Sequence, residues 1–324
     1  MPPLFLCIDM ISRRVLRIKV LQVLYAQYNA GNNSVVVAEK ELLHSINKAY
    51  DLYHLLILFL IELIKQAEKK IETGKEKHRP TKEELNPNTR FISNKVIALL
   101  RQNKHLSKYI TDNKLSWANQ DDLLKNIYQS VTTSKHFNEY MNNQQNGFKD
   151  DSKLLIDIIE NNLANSEEML QLLEEWSIYW TDDYEFMLSM VIKTIEGLTE
   201  SNTIEHTLLP LYKNDDDRVF AKDLLRKTMV KQSEFEELIK EHSENWDFDR
   251  IAIMDILIME MALAEVTEFP SIPIKVTLNE YIELAKFFST SNSSVFINGL
   301  LDNIFQKLKK ENKIVKTGRG LIDN

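Results

Sequence analysis

The stretch IPIKVTLNEYIELAKFFSTSNSSVFINGLLD, residues 272–302, reads as two helices joined by a polar turn. Pro273 closes the approach from the preceding chain, and Thr277 with Glu280 forms a T-x-x-E pattern that predicts a capped helix start. Leu278, Ile282, Ala285 and Phe288, with Leu284 beside it, recur at helical spacing and predict the buried stripe. The STSNSS turn supplies oxygens to cap a second helix in which Phe296, Leu300 and Ile304 repeat. Gly299 inside that helix costs about 1 kcal/mol relative to Ala, which is usually tolerated for close helix packing.

Outside this stretch the same period dominates. The chain has 324 residues, 44% of them apolar, and only 7 Gly and 7 Pro. That is enough apolar sequence for a sizeable core, and the scarcity of turn residues and of strand-like alternation predicts an all-α protein. It also weakens nucleotide-binding and hydrolase readings, because phosphate cradles and nucleophile elbows are built on glycines. No cofactor is expected. The single cysteine, Cys7, allows no internal disulfide and no multi-cysteine metal site, and a reducing compartment, the cytoplasm, is the default expectation. The opening MPPLFLCIDM fails as a signal peptide, and residues 1–9, ahead of a second candidate start at Met10, are expected to form a poorly ordered tail. LLILFLIELI at 55–64 contains Glu62 and falls far short of the ~20 residues of a membrane span, so it reads as a buried helix.

Helical patterns run over 12–30 and 37–71, then over shorter segments near 92–102, 119–131, 152–163, 167–179 and 183–198. They resume at 216–230, 233–244, 247–266, 278–288 and 292–313. Residues 72–90, with Pro80 and Pro87, read as a linker; NNQQNGFKDD at 142–151 reads as a disordered loop, and KIVKTGRGLIDN as a fraying tail. Residues 151–210 carry 13 acidic and 2 basic side chains, a local net of −11 that exceeds the −8 of the whole chain. The expected division is therefore 10–75 with 206–313 as one bundle, 76–205 as an inserted acidic helical region, and 314–324 as a flexible tail.

Against that acidity, ISRRVLRIKVLQVLYAQ at 11–27 places Arg13, Arg14, Arg17 and Lys19 close together. At about 100° per residue, Ile18, Leu21, Leu24, Tyr25 and Tyr28 share one face and Lys19, Gln22 and Ala26 the other. The arginines project toward the apolar face. Three buried, unpaired guanidinium groups would be prohibitively costly, so the helix is expected to overrun its core, with its first turn in solvent and burial beginning near Ile18. A phosphate site and a solubilising helix end both account for such a cluster, and charge alone does not choose between them.

The pattern P-x-K-V-x-x-N-E-x-x-E-L-A-K-x-F at 273–288, followed by S-x-x-F-x-N-G-x-L-D at 293–302, resembles the signature of the NusB family of transcription antitermination proteins. Arginines followed by L-Q-x-L-Y at 21–25 fit that family's opening, and WDFDRIAIMD with Ala264 and Glu265 resembles its central helix. The resemblance covers roughly 11–71 and 210–313. It implies a bundle of about seven helices in two three-helix halves, without catalysis. It further implies binding of single-stranded, boxA-like RNA in nascent ribosomal transcripts, together with the NusE ribosomal protein, within an antitermination complex of RNA polymerase.

Carried over by position, Arg13, Arg14 and Arg17 are candidates for phosphate contact. Phe296 is either an aromatic at the RNA surface or a core residue; Tyr25, on the apolar face, is expected in the core with its hydroxyl in reach of a phosphate; Ser293 contacts RNA or caps the helix. Asp249, Arg250 and Asp255 are weaker candidates for the protein partner. Asn292 stands where Asp is common, Val295 where some members have Lys, and Glu260 where Arg is common. The rivals are an RNA-binding helical domain of the kind attached to ribosomal RNA cytosine methyltransferases, which would need an α/β domain and a nucleophilic cysteine, and a protein-binding helical scaffold centred on the acidic region.

Overall fold

Periodic apolar sequence interrupted by capping residues yields fifteen α-helices and no strand among the described residues. The computed structural model describes residues 11–143, 147–243 and 248–322, except the side chain of Asp249. The expected 1–9 tail, and Cys7 with it, lies outside them. In chain order the helices are α1 (Arg13–Asn29), α2 (Val35–Lys75), α3 (Lys82–Leu85), α4 (Lys95–Gln102), α5 (Lys104–Asp112), α6 (Asp121–Thr133), α7 (Lys135–Asn142) and α8 (Phe148–Ile158). They continue with α9 (Glu167–Trp176), α10 (Tyr184–Gly197), α11 (Asp215–Val230), α12 (Gln232–His242), α13 (Ile253–Glu268), α14 (Ile274–Phe288) and α15 (Ser293–Lys310). No helix among the described residues is long and apolar enough to cross a membrane.

Two compact units result. One is built from residues up to Ile46 and from Leu211 on, the other from Asn47–Pro210. In the first, α13 is the hub, with α1, α11, α12, α14 and α15 all packed on it. Its sequence explains this position: from Leu257 to Val266 every residue is buried, so the helix has no solvent face. With the first turns of α2, seven helices contribute to this unit.

The second unit takes more of α2 than the linker at 72–90 suggests. The Trp117 indole donates to the Leu55 carbonyl at 2.8 Å, and the hydroxyls of Tyr53 and Thr194 meet at 2.6 Å. Residues 47–71 therefore bury their apolar face among the helices of 47–210, and the division falls at 46/47 and 210/211, where sequence pattern placed it at 75/76 and 205/206. The helices α5 and α7, which periodicity missed, start at Asn103 and Ser134, whose side chains accept from the amides of Leu106 and Phe137. Residues 142–151 are not a loop throughout: α8 starts at Phe148, and buried Asp151 accepts from the Lys95 amide at 2.8 Å and the Tyr140 hydroxyl at 2.7 Å. Residues 144–146 lie outside the described residues.

Two expectations at the C-terminus are corrected. The helix after Pro273 begins at Ile274, a turn before the apparent capping box, because Pro273 itself takes the N-cap position with φ −61° and ψ 146°. The buried positions are accordingly Thr277, Tyr281, Leu284 and Ala285, while Leu278, Ile282 and Phe288 are half-buried. The expected fraying tail is docked as far as it is described. The Thr317 amide donates to the Pro270 carbonyl at 2.9 Å, Lys316 Nζ donates to the Phe269 carbonyl at 3.1 Å, and Gly320 is buried against Pro270. A Cβ at Gly320 would lie 2.0 Å from the Pro270 oxygen, so only glycine fits this approach.

Candidate nucleic-acid interface

The arginines of α1 turn inward. Arg17 is 3% exposed, and its Nε and Nη2 donate to Glu265 Oε2 and Oε1 at 2.7 and 2.9 Å. Glu265, fully buried on α13, also accepts from Thr277 Oγ1 at 2.9 Å and from the Tyr281 hydroxyl at 3.2 Å. Both polar residues of the supposed capping box thus serve this cluster, because Glu280 takes Arg14 through Nε and Nη2 at 3.0 and 2.6 Å and reaches Arg17 Nη1 at 3.4 Å. Arg13 Nε donates to Asp217 Oδ1 at 2.9 Å, with its guanidinium 5.0 Å from the Phe220 ring centroid. Its side chain is 35% exposed and that of Arg14 27%.

The charge balance follows. Burial works against the Arg17 charge, but Glu265, Tyr281 and Glu280 outweigh it and raise its pKa, so it stays ionised. Burial likewise opposes ionisation of Glu280, yet the Arg14 hydrogen bond and the charges of Arg17 and Arg14 hold its carboxyl below the usual range. Burial and the Glu265 charge push the Tyr281 hydroxyl well up. Three arginines face three carboxylates, so the arginine charges are locally balanced.

Burial along α1 therefore runs opposite to the sequence reading. Ile11, Val15 and Leu16 are buried before Ile18, which is half-buried, and Lys19 on the supposed outer face is buried as well. Tyr25, expected in the core, is 40% exposed, and Tyr28 is exposed beyond it. Periodicity misjudged the helix because paired arginines count as buried residues, and their acceptors lie more than 200 positions away.

A second constellation forms where α13 starts and α14 ends. Asp255 is buried, accepting from Ser293 Oγ at 2.8 Å and from Ser289 Oγ, while the hydroxyls of Thr290 and Ser293 meet at 2.7 Å. One carboxylate thus fixes the turn between α14 and α15. Neither proposed role of Ser293 matches its placement: its hydroxyl faces Asp255, and Asn292 holds the N-cap position. Asp255 is likewise turned inward, buried against Ser289 and Ser293. Arg250 is exposed, and the side chain of Asp249 lies outside the described residues.

Around this turn stand apolar side chains in solvent: Phe287 at 59% exposure and Val295 at 76%, with Phe296 half-buried. Phe287 was missed because the apolar period absorbs it into a run of two phenylalanines. Gly299 faces open space, with no atom within 4 Å of a built Cβ, so the close packing expected there is absent. The structure does not unite the arginines with Ser293. Glu265 and Asp255 are ten residues apart on α13, roughly 15 Å along the helix.

Comparison with known proteins places these helices. The profile of the NusB family matches residues 185–306, from within α10 into α15. The transcription antitermination protein NusB of Myxococcus xanthus is 39% identical over 99 residues, 30% of this chain and 71% of that one. That of Chloroherpeton thalassium is 44% identical over 85 residues, 26% of this chain and 40% of the relative. A solved T. maritima NusB chain is 28% identical, covering 39% of this chain and 80% of that one, with a TM-score of 0.29. The NusB of Salinibacter ruber is 40% identical over 114 residues, 35% of this chain. With 71% of that relative's length matched at this identity, the chain belongs to the NusB family.

Proposed function

We propose that this protein is an RNA-binding transcription antitermination factor. With the NusE ribosomal protein it recognises boxA-type elements of nascent ribosomal RNA in the cytoplasm, and it acts within the RNA polymerase antitermination complex by binding, not by catalysis. The kinship with the Salinibacter ruber protein, named a transcription antitermination protein, carries this reading. In this reading the work divides among the candidate residues. Phe296 and Phe287, beside the turn held by Asp255 and Ser293, offer faces for unpaired bases. Arg13, Arg14 and Tyr25 retain exposed edges for phosphate or base. Arg17, committed to Glu265, positions α1 without touching RNA, and Ser293 acts by holding the turn. Arg250 remains the exposed candidate for the protein partner.

The test is a fluorescence titration with boxA-containing and scrambled RNA, with and without the NusE-type protein. Preference for boxA, enhanced by the partner, is expected. Phe296→Ala should weaken binding by ~1 to 3 kcal/mol, the usual range for loss of one stacked base. Equal affinity for both RNAs in the partner's presence refutes the reading.

A further inference from the structure

The inserted unit is acidic in sequence, yet one of its grooves is lined by lysines. A groove of about 760 Å³ runs between the last turns of α2, the segment leading into α3, and α6. Lys69 and Lys70 project from α2, Lys77 from the following segment, and Lys125 from α6, all four exposed. Tyr128 lies one turn beyond Lys125 on the same face of α6, with Lys70 Nζ 5.2 Å from its ring centroid.

The opposing carboxylates are mostly spent. Glu84 pairs with Lys77 and is tied into a capping box with Thr81. Lys125 meets Asp122 at 3.2 Å in an exposed pair, a geometry worth little in water. Lys69 and Lys70 have no ion pair among the described residues, which leaves Glu83 against three ammonium groups.

We propose that this groove binds the sugar-phosphate backbone of single-stranded RNA, giving the inserted unit an RNA contact of its own. The proposal extends the RNA-binding reading above. Flexible lysine ammoniums on two walls suit a chain of phosphates better than one small anion, which a fixed fork or enclosed pocket would favour. The Tyr128 ring beside Lys70 sets a π-face and a positive charge within one nucleotide's reach. Stacking on it requires an unpaired base, so a single strand is the occupant and sequence preference is weak.

The test uses the full chain and a uridine oligomer of roughly 12 nucleotides lacking boxA, titrated across salt concentrations. The Lys69→Gln, Lys70→Gln, Lys125→Gln triple variant should flatten the slope of log affinity against log salt by about 2, at ~0.7 per phosphate contact. The matching Lys→Arg variant, which keeps the charges, should retain the slope, and a photocrosslink from the oligomer should map to Tyr128. An unchanged slope in the Gln variant overturns the groove while leaving boxA recognition standing. Failure of the wild type to bind the oligomer also overturns it, and the boxA titration then judges the antitermination reading independently. Binding of inorganic phosphate at these lysines without RNA retention counts equally against it.

Discussion

The decisive perturbation of the arginine cluster is Glu265→Gln, because one carboxylate there satisfies four donors: two from Arg17, one from Thr277 and one from Tyr281. The amide is nearly isosteric, so no cavity opens. It carries no charge, however, and offers one acceptor atom where the carboxylate offered two. Arg17, 3% exposed, keeps Glu280 at 3.4 Å as its only charged partner among the described residues, and Arg14 already occupies that carboxylate. Breaking one side of a buried pair typically costs ~3–5 kcal/mol, because the remaining charge stays desolvated. For a unit of this size each kcal/mol moves the melting temperature by ~2–4 °C, so a fall on the order of 10 °C is expected. Arg14→Ala, at a partly exposed pair, should cost roughly 1 kcal/mol or less. Adding Arg17→Met to Glu265→Leu should restore part of the loss, the remainder being the orphaned hydroxyls of Thr277 and Tyr281 at ~1–3 kcal/mol each. Urea and thermal unfolding of the full chain, followed by circular dichroism, provide the measurement. If Glu265→Gln unfolds within about 1 kcal/mol of the wild type, the guanidinium is solvated and the reasoning fails.

Three further perturbations probe other parts of the first unit. Glu260 is buried with Oε1 unpartnered, and burial, then the Glu236 charge, push its carboxyl up to about 8 against a Gln232 hydrogen bond. Between the unfolded value of 4.5 and about 8 the folded chain holds a proton that the unfolded chain has lost, so Glu260 lowers stability as pH rises through that window. Glu260→Gln should flatten this dependence and stabilise by a few kcal/mol above pH ~8, and urea midpoints at pH ~5 and ~8.5 that shift equally would contradict it. Gly320→Ala forces a Cβ onto the Pro270 carbonyl and should release the C-terminal segment, at ~1–3 kcal/mol for overpacking. Hydrogen exchange at the Thr317 amide should accelerate; unchanged protection argues against the docking. Gly299→Ala adds a methyl into open space inside α15 and should stabilise by ~0.5–1 kcal/mol, whereas a loss in calorimetry would reveal packing there.

Fold class and most helices were legible because apolar spacing and cap residues are local signals. What escaped was decided by distant partners. The start of α14 could not be placed because Thr277 and Glu280 satisfy both a capping pattern and, in the structure, the needs of Arg17 and Arg14. The inserted unit's claim on residues 47–71 was hidden, since an apolar stripe does not disclose what covers it, and here the Trp117 indole on Leu55 and the Thr194 hydroxyl on Tyr53 mark the covering helices. The docked tail was missed for a related reason. Its contacts are hydrogen bonds to the Pro270 and Phe269 carbonyls, from the Thr317 amide and the Lys316 ammonium, which leave no hydrophobic period. At the candidate interface Phe296 was singled out by pattern as a candidate, but the inward turn of Ser293 and Asp255 and the exposure of Phe287 and Tyr25 required coordinates.

The arginine cluster changes what electrostatics to expect of RNA binding. Four charges in seven residues suggested a positive field at the start of α1, yet Asp217, Glu265 and Glu280 cancel the arginine charges at contact distance. A phosphate approaching Arg14 must compete with a carboxylate already making two charge-assisted hydrogen bonds, and at Arg17 it would also have to enter a closed core. Recognition at the α14–α15 turn should therefore depend mainly on stacking and respond weakly to salt. A steep salt dependence needs uncancelled cations, and within the inserted unit the lysines of the groove beside Tyr128 supply them. The two variants thus separate by kind of effect: Phe296→Ala should lower boxA affinity at every salt concentration alike, while the groove variant should change the slope itself.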